Sequence, residues 1–420
     1  MRDDILAVAA GVVGASVLRD GAFATGDAVV FPLALAVLAL VGRCRVEARW
    51  RPMVVAVAAL SVWWFVAAAG WGDLADATPL LGGFVGFAAA AVLAANLAPD
   101  QHAQLRSSLV VGAAGFAAAG LVGLALRSDA LASRAQGLWR LSGTLTYANA
   151  AGLLLAMLLP LAIAERGRAG SPRWTGSAVA VIAAGLAASM SRGAAVALLV
   201  ALPLIWRSLR SSWWPLALGA VAGVVAVATA SSGANQPVVI GVALAAALLA
   251  SLPAPDWRAA CAGAVAVGAM LAAVPSIRSG IGDVVDRRLA LSQFDDRTPE
   301  WRGAFEEFID DPIIGIGPER PFVSRPSGRT ELARYAHSEP LQIAMSAGLI
   351  GLALLVGVAG TVYRLLRSGS GPPAATAGVV VFTIGGILDF SWHLPAIGIV
   401  AGILCATAGQ LGRKNSREEG

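Results

Sequence analysis

One of the three histidines, His337, stands where a polar stretch becomes an apolar one, in Tyr335-Ala336-His337-Ser338-Glu339-Pro340-Leu341-Gln342, running on to Ala347-Gly348-Leu349-Ile350-Gly351. Serine is a favoured N-cap, and proline in a first helical turn removes no intrahelical hydrogen bond, so a helix is predicted to start at Ser338 with His337 at its mouth. The partial positive charge of a helix N-terminus favours a neutral imidazole, the form that accepts a proton as a general base. Ser338, Gln342 and Ser346 recur every four residues and share a face, while Gly348 and Gly351 would let another helix approach closely. The competing reading is a histidine at a membrane interface beside packing glycines.

Arginines supply the second kind of chemistry. Arg297 and Arg302 occur in Asp296-Arg297-Thr298-Pro299-Glu300-Trp301-Arg302, ahead of Asp310-Asp311-Pro312-Ile313-Ile314-Gly315-Ile316-Gly317-Pro318. Arg192 sits in Ser191-Arg192-Gly193 between two apolar runs, and Arg140 in Arg140-Leu141-Ser142-Gly143, with Tyr147 and Asn149 just after it. A guanidinium stays charged and offers a fork of donors to phosphate oxygens, and a charge near an apolar zone is costly unless paired, solvated or used. The alternatives are surface pairing of Arg297 and Arg302 with nearby carboxylates, a plain turn at Arg192, and a capped helix start after Arg140. Asp389-Phe390-Ser391-Trp392-His393 ranks as a secondary source of polar groups, and His102 has no assigned role.

These residues must be positioned by membrane helices. Of the residues, 57% are hydrophobic and 14% charged, with a mean hydropathy of +0.72, outside the range of soluble domains. Apolar runs predict an all-α bundle of about 12 to 14 spans: 5–18, 28–42, 53–71, 79–98, 108–126, 148–164, 176–190, 194–206, 213–230, 237–252, 259–275, 339–363, 374–388 and 394–411. With the N-terminus inside, one set of short loops and the termini holds seventeen basic residues and the opposite set five, which places both termini in the cytoplasm. Nine further arginines fall in one long polar segment, 276–337, on the outer face. Phe305, Phe308 and Ile309 share a helical face there, as in a helix lying on a membrane surface. The organisation expected is therefore 1–275, a transmembrane bundle; 276–337, an extracytoplasmic loop with an amphipathic helix; and 338–420, C-terminal spans and a cytoplasmic tail. Cys44, Cys261 and Cys405 lie in or beside apolar runs and outline neither a disulfide nor a metal framework. The net charge of +5 is carried mainly by topology arginines, so nucleic acid is not an expected partner.

The His337-Ser338 helix start with Gly348 and Gly351, the stretch from Arg297 through Asp311-Pro312 to Gly315-Ile316-Gly317-Pro318, Ser191-Arg192-Gly193, and Arg140 with Ser142-Gly143 and Asn149 together resemble the O-antigen ligase and O-antigen polymerase superfamily. The resemblance covers roughly 140–351 in consistent order and departs at Ser338, where the family often has Asn. It implies a C-type membrane glycosyltransferase of the bacterial inner membrane, taking a glycan from a polyprenyl-diphosphate carrier to an acceptor hydroxyl on a glycan or lipid. Neither metal nor cofactor is expected. By the same resemblance Arg192 and Arg297 bind the donor diphosphate and His337 serves the acceptor, with Arg302 and Arg140 in support. A transporter or flippase for a lipid-linked or anionic substrate is the alternative from another class. The choice between ligase and polymerase, the sugar and the oligomeric state stay open at this point.

Overall fold

A computed structural model describes residues 3–71, 74–168, 170–232, 236–252, 275–284, 286, 297–318, 320–325 and 330–410. The described residues are all-α with two small hairpins. In order the helices are α1 (Asp3–Leu18), α2 (Thr25–Val41), α3 (Arg51–Trp71), α4 (Leu74–Ala95), α5 (Pro99–Leu126), α6 (Ala148–Arg166), α7 (Trp174–Ser189) and α8 (Arg192–Ala201). They continue as α9 (Trp206–Ser231), α10 (Gln236–Ala250), α11 (Pro275–Val284), α12 (Thr298–Asp310), α13 (Glu339–Ser368), α14 (Pro373–Leu388) and α15 (Pro395–Ala408). Strands β1 (Ala132–Ala135) and β2 (Leu138–Leu141) pair antiparallel, as do β3 (Phe322–Ser324) and β4 (Glu331–Ala333). Among the described residues six helical stretches are long and apolar enough to cross a membrane, and five shorter apolar helices accompany them. The protein is a multi-pass membrane protein.

Most predicted spans return as helices, and one pair is joined differently. Residues 194–206 and 213–230 were expected to flank a loop at Arg207 and Arg210. Both arginines instead begin α9, and the junction is a single 3-10 turn at Leu202–Ile205 containing Pro203. At 1.5 Å per residue the ten-residue α8 is about 15 Å long, half of a bilayer core, so it does not span alone. The predicted span 259–275 lies outside the described residues but for Pro275, as does Cys261; Cys44 and Cys405 are free thiols.

The chain divides into two compact units, 1–104 with 294–420, and 105–293. In the first, α4 is the central helix and packs on α2, α3 and α15. Glycines allow α4 and α15 to touch backbone to backbone: a Cβ on Gly398 would stand 2.6 Å from the Gly83 carbonyl oxygen, and one on Gly402 2.2 Å from that of Phe87. Van der Waals contact of this kind is what holds helices together in lipid, where no hydrophobic force acts between them. In the second unit α6 is buried along nearly its whole length, α7 packs on α6 and α9, and α10 packs on α9 and α7. The β1–β2 turn has Gln136 at φ 52° and Gly137 at φ 75°, the left-handed pair that a two-residue hairpin of this twist needs.

Candidate active site

The site is built in the first unit from the start of α13, the start of α12 and the connection between α14 and α15. Ser338 precedes α13 in extended backbone, and Gln342 N donates to its carbonyl at 2.8 Å. The Ser338 hydroxyl itself makes no cap bond. The chain before the helix is held by Gln342, whose Oε1 accepts from Ala336 N at 2.8 Å while its Nε2 donates to Ser346 Oγ at 3.3 Å. The expected polar face of Gln342 and Ser346 is therefore real but wholly buried, and it fixes the backbone around His337 instead of lining the site. His337 takes φ 48°, a left-handed conformation uncommon for a residue other than glycine.

Nine residues into α13 the helix breaks. Gly348 has φ 65° and ψ −165°, a region open essentially to glycine alone. A break in an apolar helix frees backbone groups that lipid cannot satisfy. The strip 312–317 supplies the partners: Ile316 N donates to Met345 O at 2.9 Å and Gly317 N to Ser346 O at 3.0 Å, while Leu349 N donates to Pro312 O at 2.8 Å. Trp63 Nε1 completes the set by donating to Ala347 O at 2.8 Å. Gly348 thus receives a loop, where a neighbouring helix was expected; a Cβ there would lie 2.2 Å from the Ile313 carbonyl oxygen. Gly351 sits against Ala347 and Ile343 of its own helix. This pairing explains why the Gly315-Ile316-Gly317 strip and the α13 glycines occur together, and it ties the end of α12 to the helix that carries His337.

Three ionisable groups converge above that framework. Asp389, at the end of α14, accepts from Phe390 N at 2.9 Å through Oδ1, and the same oxygen lies 3.1 Å from His337 Nδ1. Its Oδ2 accepts from Arg297 NH2 at 3.1 Å, and Arg297 NH1 donates to the Leu388 carbonyl. Burial pushes the Asp389 carboxyl up, but the His337 hydrogen bond, the Arg297 guanidinium, the His337 charge and the Phe390 amide outweigh it and hold the group at about 2. Asp389 is a carboxylate throughout the physiological range. On the other side of the ring, His337 Nε2 is 3.8 Å from Glu300 Oε2 of α12, an electrostatic contact too long for a hydrogen bond. Phe390 meets the imidazole edge to face at 4.9 Å and stacks on Tyr335 at 4.3 Å, closing the apolar side.

Residues 235–356 match the family model described as O-antigen ligase. This segment is similar to the O-antigen ligase family. Comparison with the curated proteins gave no match. The O-antigen ligase-like segment holds Arg297, Arg302, His337, Ser338, Gln342, Gly348 and Gly351, and it leaves out Arg140, Asn149, Arg192 and Asp389.

Of the residues singled out in this ligase-like sequence, His337 and Arg297 are brought onto one carboxylate. Arg302 is exposed on α12. Arg140, Asn149 and Arg192 belong to the second unit. There Arg140 is buried on β2, donating Nε to Ser189 O at 2.8 Å and NH2 to Asn149 Oδ1 at 2.6 Å, and Asn149 donates onward to Tyr147 Oη at 2.8 Å. Arg192 is the first residue of α8, after an N-cap in which Ser191 Oγ accepts from Ala194 N at 3.3 Å. Its side chain is half-buried.

Asp389, a secondary source of polar groups in the sequence, is the residue that contacts both Arg297 and His337. A lone aspartate at the end of an apolar run reads as an interfacial charge, and its only signal was the cluster Asp389-Phe390-Ser391-Trp392-His393, two ionisable groups and two aromatics within five residues. Glu300, read as a surface partner for arginine, faces His337.

Proposed function

We propose that this protein transfers a glycan from a polyprenyl-diphosphate carrier to an acceptor hydroxyl on the extracytoplasmic face of the bacterial inner membrane, with inversion and without a metal. The observation that carries the reading is the Arg297–Asp389–His337 chain of contacts. Asp389 on Nδ1 selects the tautomer that holds its proton there, so Nε2 keeps a lone pair for the incoming hydroxyl. As the acceptor oxygen bonds to the anomeric carbon, its proton passes to His337 Nε2, and the bond from that carbon to the diphosphate oxygen breaks. The leaving group departs as polyprenyl diphosphate with an added negative charge.

Arg297 suits the charge that develops on the leaving group. Two of its donors are fixed on Leu388 and Asp389, which aims the guanidinium, and its side chain remains 30% exposed for phosphate oxygens. Arg192 is proposed as a diphosphate ligand carried by the second unit, with Arg302 in a weaker supporting role. Arg140 is proposed to support the segment from Ser189 to Arg192 through its bond to the Ser189 carbonyl. Asn149 is proposed to act by holding Arg140.

The deciding experiment is transfer in vitro from a purified lipid-linked oligosaccharide, with product followed by mass spectrometry. Wild-type protein should make joined glycan in EDTA, and His337→Ala and Arg297→Ala should not. Undiminished transfer by either variant, or a strict need for a divalent ion, would overturn the assignment. Movement of donor lipid between leaflets without joined product would establish the flippase reading instead. In cells, single repeat units accumulating in a deletion strain would mark a polymerase, and polymer left on its carrier a ligase.

A further inference from the structure

A second histidine–carboxylate pair lies directly behind the first. Glu339, the first residue of α13, and His393, in the turn before α15, are both 0% exposed. His393 Nδ1 is 3.2 Å from Glu339 Oε2 and 3.3 Å from Oε1, and Trp392 N donates to Oε1 at 2.7 Å. The two pairs are reciprocal. The α13 start contributes His337 to one and Glu339 to the other, and the α14–α15 connection answers with Asp389 and His393. Two aromatic rings link them: His393 meets Tyr335 edge to face at 5.2 Å, Tyr335 stacks on Phe390 at 4.3 Å, and Phe390 meets His337 edge to face at 4.9 Å.

Such a pair is a poor choice for stability alone. Desolvating an acid and an imidazole costs several kcal/mol, which their attraction roughly offsets, and an apolar pair of equal volume often serves as well or better. What it provides is geometry, because the two partners have one arrangement that satisfies them and many that do not. A reactive group must be held within about 0.5 Å of its working position by neighbours that are themselves locked.

We infer that Glu339 and His393 are positioning residues for His337, cross-bracing the α13 start against the α14–α15 connection so that Asp389 meets His337 Nδ1. This deepens the transferase reading and rests on it for the role of His337, but the brace itself has a readout that needs no activity.

The protein contains three histidines, so ring-15N-histidine labelling of the purified full-length chain gives three imidazoles to follow, assigned by single substitutions. In the wild type His337 should show a protonated Nδ1 and a bare Nε2. His393→Ala should shift the His337 ring signals, reduce kcat by roughly ten- to a hundred-fold and leave KM within about two-fold, the pattern of a displaced base and an intact binding site. His393→Asn, which keeps an N–H near the Nδ1 position, should recover most of both effects. If His393→Ala does not fold, the isosteric Glu339→Gln carries the same readouts. Unshifted His337 signals in a folded variant overturn the inference, and so does a rise in KM with kcat unchanged. If the wild type shows no glycan transfer, the transferase reading fails while the ring signals still decide the brace.

Discussion

Asp389 holds His337 by Nδ1 at 3.1 Å, across a sequence separation of 52 residues. The contact fixes which ring nitrogen is free. Asp389→Asn tests it, because an amide turned to donate its N–H to Nδ1 would force the proton onto Nε2 and remove the acceptor. Glycan transfer should fall about 100-fold or more in kcat, in the range a general base contributes, with KM little changed. Wild-type turnover in a folded Asp389→Asn variant would sink the assignment.

The depressed Asp389 carboxyl makes a statement about pH. Its folded value of about 2 lies below the 3.8 of an ordinary aspartate, so the contribution is fully present above pH 4 and is lost as pH falls from there through about 2. The difference is worth on the order of 2 kcal/mol. Melting temperatures of purified wild type and Asp389→Asn should differ at pH 5 and converge toward pH 2. A gap that closes above pH 5 would show another group to be responsible.

Gly348→Ala should destabilise the protein by at least about 1–3 kcal/mol, because the new Cβ meets both an unfavourable backbone region and the Ile313 carbonyl oxygen at 2.2 Å. Gly357→Ala in the same helix is the control. A Cβ there has nothing within 4 Å, and helix propensity favours alanine by about 1 kcal/mol. Thermal unfolding monitored by tryptophan fluorescence checks the pair, and equal melting temperatures would contradict the paired-strip account of the break.

Arg140 and Arg192 should separate by phenotype. Arg140 is buried and makes two hydrogen bonds to Ser189 and Asn149, so Arg140→Ala should lower the melting temperature, at about 1–3 kcal/mol for each partner left unsatisfied. Arg192→Ala should raise KM for the lipid-linked donor. The reverse pattern would exchange the roles proposed for the two.

Much of the helical layout was readable in advance because each apolar run carries its own reason to be a helix: backbone groups in lipid must bond within their segment. The start of α13 was readable for a local reason too, with Pro340 in its first turn. The α8–α9 junction was misplaced because Arg207 and Arg210 look like a loop when charge is the only guide. In the structure Pro203 sets the turn one step earlier, and the arginines ride on the first turns of α9.

The residue types by themselves determined that the chain is a helical membrane protein and marked His337 and the arginines as candidates for chemistry. Tertiary structure decided what those residues do to one another. Gly348 breaks α13 because a strip from 312–317 arrives to satisfy the freed carbonyls, and no local pattern encodes that arrival. Asp389 and the Glu339–His393 pair stand beside His337 because α14 and α15 bring their connection to the mouth of α13. The reason is physical: helix formation in lipid is a local requirement, whereas the meeting of an acid and an imidazole half a hundred residues apart depends on how whole helices pack.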